Sequence, residues 1–136
     1  MAKLTEEELQ EKYQQFKAIE EQIEQLGQQA EMLNQQNAEL EISKRALEEL
    51  IKTPLKTEIL AQVANGVFIR TRLEDNQQLI INVGSNVTVE RSVPEVITLL
   101  EEQKKEITMH IIEAEAVMQE LQAQAKKIYD EVQGQQ

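Results

Sequence analysis

From Thr5 to Lys52 the apolar residues fall on a seven-residue repeat. Ile19, Leu26, Leu33, Leu40 and Leu47 hold one position, and Leu9, Phe16, Ile23, Ala30 and Ile51 hold the other. This is the stripe of a coiled-coil helix, spanning residues 5–52. Asn37 and Lys44 interrupt the second position, and either can set a pairing register or simply be tolerated. Thr5 with Glu8 forms a capping-box pattern, and Thr53-Pro54 stops the helix because proline displaces its predecessor from helical backbone.

Residues 58–91 change period to two and are rich in Val, Ile and Thr, which predicts strands. The inward positions are Ile59, Ala61 and Val63, then Val67, Ile69, Thr71 and Leu73, then Leu79, Ile81 and Val83, then Val87 and Val89. Turns at Asn65-Gly66 and Gly84-Ser85-Asn86 make two β-hairpins. Ser92 with Glu95 opens a second helix over residues 93–133, with Pro94 tolerated in its first turn. Ile97, Leu100, Ile107, Ile111, Ala114, Met118, Leu121, Ala125, Ile128 and Val132 continue a seam interrupted at Lys104.

The expected class is α+β, mainly α: a long antiparallel two-helix coiled coil joined by two hairpins, in one domain covering residues 1–136. One alignment of the helices sets Phe16 against Ile128 and Ile23 against Leu121. Another sets Ala30 against Leu121 and Leu26 against Ala125. The first leaves less of the N-terminus without a partner.

A four-stranded sheet at one end of such a helix pair has an apolar face and two edges with nothing in the chain to cover them, so it calls for a partner. The expected oligomer interface is Ile59, Val67, Ile69, Leu73, Leu79, Ile81, Val83, Val87 and Val89. At the opposite helix ends Leu4, Leu9, Tyr13 and Phe16 meet Ile128, Tyr129 and Val132. These seven residues are either an ordinary frayed end or an apolar grip for other polypeptides.

Composition narrows the chemistry. The chain has 136 residues, a net charge of -11 and no cysteine. Repulsion from a phosphate backbone argues against nucleic acid as a partner. The absence of disulfides suits the cytoplasm, and neither a signal peptide nor a membrane span is expected. The single histidine, His110, has no second His or Cys to complete a metal site, and the carboxylate runs solvate helix surfaces. The glycine turns lack the rest of a phosphate loop. No catalytic residue, metal or cofactor is expected.

The stretch EILAQVANGVFIRTRLEDNQQLIINVGSNVTVERSVPE, set between two long helices, resembles the alpha class of prefoldin subunits. The most specific matches are Glu58-Ile59-Leu60, Asn65-Gly66-Val67-Phe68-Ile69, Val83-Gly84 and Val89-Glu90-Arg91, whereas Gln62 stands where family members often have proline. Two hairpins rather than one point to the alpha class. The resemblance implies an ATP-independent chaperone, a hexamer of two alpha-class and four beta-class subunits whose hairpins build an oligomeric β-barrel. Its coiled-coil tips would hold unfolded polypeptide and deliver it to a group II chaperonin. The competing reading is a structural spacer or tether that oligomerises through its hairpins.

Overall fold

The computed structural model describes residues 3 to 134. Its elements run α1 (Glu6–Lys52), β1 (Glu58–Ala64), β2 (Val67–Arg72), β3 (Gln78–Gly84), β4 (Val87–Ser92) and α2 (Val93–Gln133). Both capping boxes form. The Glu8 amide donates to Thr5 Oγ1 at 3.2 Å, and the Glu95 amide donates to Ser92 Oγ at 3.2 Å. Each satisfies a donor that the first helical turn would otherwise leave orphaned.

The chain forms two compact units, one of Met1–Asn37 with Glu106–Gln136 and one of Ala38–Lys105. In the first unit, α1 and α2 bury Ala30, Ile111, Ala114 and Ala125 in their seam. The small side chains of Ala30, Ala114 and Ala125 let the helices approach and Ile111 is enclosed between them, while other large seam residues such as Ile23, Leu26 and Leu121 stay half-buried. Lys12 pairs with Glu131, and Asn37 Nδ2 donates to Thr108 Oγ1 at 3.0 Å.

In the second unit the two lysines that interrupt the seams reach reciprocal partners. Lys44 lies 3.2 Å from Glu101, and Lys104 lies 2.7 Å from Glu41. All four cross-helix pairs fit the alignment that sets Phe16 level with Ile128 and Ile23 with Leu121. The alternative would place Lys44 level with Ile107 and Asn37 level with Ala114, where neither finds a polar partner. The end of α1 departs slightly from the expected seam: Leu50 is half-buried, whereas Ile51 is exposed.

The strands do not form one four-stranded sheet. β1 pairs antiparallel with β2, and β3 with β4, as two separate two-stranded sheets. Alternation along a strand reports which residues share a face, but not which strands become neighbours. In the first hairpin Ala61 faces Ile69, and the register shifts at Gln62/Ala64; in the second Ile81 faces Val89, with a shift at Asn82/Gly84. Ser85 and Asn86 both take positive φ, 49° and 62°, as a two-residue type I′ turn requires.

The hairpin bases are tied by main-chain hydrogen bonds. The Lys56 amide donates to the Leu73 carbonyl at 2.7 Å, the Leu73 amide to the Thr57 carbonyl at 3.0 Å, and the Val93 amide to the Gln77 carbonyl at 2.9 Å. Asp75 Oδ1 accepts from the amides of Gln77 and Gln78, which shapes the β2–β3 connection. No helix among the described residues is long and apolar enough to cross a membrane.

Candidate functional site

Two surfaces leave apolar side chains uncovered. The first lies in the unit that contains the N-terminal part of α1 and the C-terminal part of α2. Tyr13 follows seam residue Leu9 by four positions and Tyr129 follows Ala125 by four, so both rings stand on the same flank of the helix pair. There they are 57% and 53% exposed. Beneath them Phe16, Ile128 and Val132, with Lys12 and Gln133, line a cleft of about 250 Å³. Five of the seven expected tip residues therefore meet in one cleft. Leu4 precedes α1 and Leu9 sits in its first turns; both are half-buried and neither lines the cleft.

Lys12 occupies a seam position that an aliphatic residue would normally hold, and its ammonium is held by Glu131. The hydrogen bond from Lys12 keeps the Glu131 carboxyl below its ordinary range. This pair was not singled out from the sequence, although a lysine falling on the heptad three residues after Leu9 was a signal for it. The Lys17 ammonium sits 5.2 Å from the centre of the Tyr13 ring and covers one of its faces.

The second surface is on the hairpins. Ile59, Val67, Ile69, Val83 and Val87 are exposed, while Leu79, Ile81 and Val89 are half-buried. Leu73 differs from expectation. It is only 8% exposed, lies just past β2 and has its amide and carbonyl engaged by Thr57 and Lys56, so it belongs to the chain's own core. The opposite faces are not purely polar either. Leu60, Phe68 and Ile80 are exposed there, Ile80 most of all at 74%. In the register, Leu60 is opposite Arg70, Phe68 opposite Gln62 and Ile80 opposite Glu90, so each apolar residue sits among polar neighbours. Apolar residues on both faces of a two-stranded ribbon fit a strand pair that is covered on both sides.

His110 is exposed, with Nδ1 3.6 Å from Glu113, and no group of three metal-ligating side chains occurs among the described residues. The two uncovered surfaces offer apolar contact and main-chain pairing.

The sequence matches the family model described as prefoldin subunit over residues 19–136. Prefoldin subunit alpha of Pyrococcus horikoshii is 33% identical over 108 residues, which span 79% of this chain and 73% of that protein. The Nitrosopumilus maritimus prefoldin subunit alpha is 30% identical over 115 residues, or 74% of this chain and 79% of that one. The fold is also similar to that of a chain in the cryo-EM structure of filamentous prefoldin from Methanocaldococcus jannaschii. There the TM-score is 0.74 and the identity 22%, with 84% of this chain and 94% of that chain covered. With two hairpins between two long helices, and a family match across most of its length, the chain belongs to the prefoldin subunit family.

Proposed function

We propose that the chain is the alpha-class subunit of an ATP-independent chaperone that holds unfolded polypeptide at its helix tips. The observation that carries this reading is the apolar cleft beneath Tyr13 and Tyr129. A spacer needs no such surplus at its free end, whereas a holdase does. Each client side chain that docks there contributes on the order of 1 to 2 kcal/mol, so one subunit holds loosely and several acting together supply the useful affinity.

The hairpins serve assembly. Their exposed Ile, Val and Phe side chains and unpaired strand edges call for neighbouring hairpins, which the family resemblance assigns to beta-class subunits. A hexamer of two alpha-class and four beta-class chains around a β-barrel is the assembly in keeping with the family resemblance, with a group II chaperonin receiving the client in the cytoplasm.

The test is to mix the chain with a beta-class subunit, measure the mass of the complex, and follow aggregation of a chemically unfolded client without nucleotide. A defined hetero-oligomer that suppresses aggregation is expected. A complex that forms but leaves aggregation unchanged would favour the tether.

A further inference from the structure

The two flanks of the helix pair in the first unit differ in composition. On α1, Gln15, Gln22 and Gln29 recur every seven residues beside the seam, and Gln36 continues the spacing. At the equivalent positions of the other flank α1 has Tyr13, Glu20, Gly27 and Asn34, with no such repeat. The glutamine flank carries a run of concave surface. Gln15, Gln22 and Gln124 line a groove of about 460 Å³ floored by Ile19 and Ile128. Gln22, Gln25 and Gln29 line the next, of about 320 Å³, floored by Leu26 and Leu121. A third, of about 400 Å³, runs from Gln29 past Leu33. Successive grooves share Gln22 and then Gln29, so they form one continuous run. The charged side chains that line it stand toward its two ends, with Lys12, Lys127 and Glu131 at one and Glu113 at the other.

We infer that this glutamine-lined flank is a track for the main chain of an extended, unfolded polypeptide. The inference rests on the holdase reading and adds a second contact surface to the tip cleft. A glutamine amide has N–H donors and a carbonyl acceptor, so it can pair with both the acceptor and the donor of a peptide group. Seven helical residues advance about 10.5 Å, and three residues of a polyproline II chain, one full turn of a conformer that unfolded polypeptide favours, advance about 9.3 Å. One glutamine therefore meets every third client peptide group nearly in step, while the aliphatic floor receives side chains between. In a chain of net charge -11, an uncharged stretch admits acidic and basic client segments alike. A helix from another subunit would be better served by an apolar flank than by exposed amides.

The experiment uses the full chain assembled with a beta-class subunit and one chemically unfolded client. A photo-crosslinking side chain replaces Gln22, or Gln28 on the outward face as a control. In parallel, Gln15, Gln22 and Gln29 are changed to Glu, against a control with Gln14, Gln28 and Gln35 changed to Glu, which adds the same charge facing outward. Glutamate preserves size and helix propensity but offers no donor. The expected result is client crosslinked at position 22 and not at 28, with capture weakened on the order of ten-fold by the track variant only. Equal crosslinking at both positions, equal capture by both variants, or crosslinks from position 22 to another subunit would overturn the track while leaving the tip cleft standing. Failure of the unaltered assembly to capture the client would overturn both.

Discussion

Asn37 on α1 and Thr108 on α2 are joined across the helix pair by a 3.0 Å hydrogen bond from the amide nitrogen, while Asn37 Oδ1 is buried with no partner. An unsatisfied buried carbonyl is destabilising, and a polar residue in a seam is tolerated where it selects one alignment over others. Replacing Asn37 and Lys44 together by Leu is therefore expected to raise stability by about 1 to 2 kcal/mol and to relax the register. Thermal melting checks the first effect. Cysteine pairs check the second: Ile23→Cys with Leu121→Cys should crosslink in the parent chain and Ala30→Cys with Leu121→Cys should not, whereas the double leucine variant should allow both.

Two backbone positions are occupied against their preference. Gly27 lies within α1, and a Cβ there would meet Met118 Sδ at an ordinary 4.0 Å. Gly27→Ala should stabilise by about 0.5 to 1 kcal/mol. Lys56 has φ 72° in the turn where the Thr57 amide donates to the Pro54 carbonyl, the left-handed position of a type II turn. Lys56→Gly should gain about 1 kcal/mol by removing the Cβ clash. Denaturant midpoints at constant slope measure both.

Stability should fall in acid. Hydrogen bonding by Lys104 holds the Glu41 carboxyl below its ordinary 4.5, Lys12 does the same for Glu131, and the amides of Gln77 and Gln78 hold Asp75 below 3.8. A lowered folded-state pKa means that the contribution is complete above the ordinary value and is lost as pH falls through the lowered one. Lys44, raised above 10.5 by its hydrogen bond to Glu101, behaves oppositely: its contribution is complete below that value and is lost as pH rises through the raised one. Melting temperature should therefore be flat in its dependence on these groups between about pH 5 and 10 and decline below. Glu41→Gln should flatten part of the acid limb, and an unchanged limb would contradict the assignment.

Ile69 and Val83 are exposed in the chain itself, so Ile69→Asp and Val83→Asp should leave its helix content and melting temperature nearly unchanged. In an assembly the same aspartates enter an apolar contact, and each should weaken association by about 2 kcal/mol or more. Circular dichroism on the chain and mass measurement of the mixture with a beta-class subunit separate the two effects. Leu73→Asp should behave differently and unfold the hairpin base, because Leu73 is buried within the chain.

The helical seams, both capping boxes and the strand limits could be read from the sequence because each rests on local spacing. What escaped the reading depends on contacts distant in sequence. Alternation placed Leu73 on the inward face with Ile69 but could not show that Lys56 and Thr57 close over it. The same alternation, which singled out only the inward positions, passed over Leu60, Phe68 and Ile80, whose neighbours across the hairpins are charged or amide residues. Tyr13 and Tyr129 were legible as residues beside the seam. Their meeting over one cleft required the helix alignment, which Lys12, Asn37, Glu41 and Lys44 fix through partners at least 57 positions away.

The central claim is that the tip cleft holds clients without nucleotide, and it is tested most directly by measuring capture of a chemically unfolded client by the assembled complex. The comparison is between intact chains and chains with Tyr13, Phe16 and Tyr129 changed to Ser, with and without ATP. The account predicts unchanged assembly, capture reduced in proportion to the number of altered tips, and no effect of ATP. Undiminished capture by the altered complex, or capture only with ATP, would contradict it.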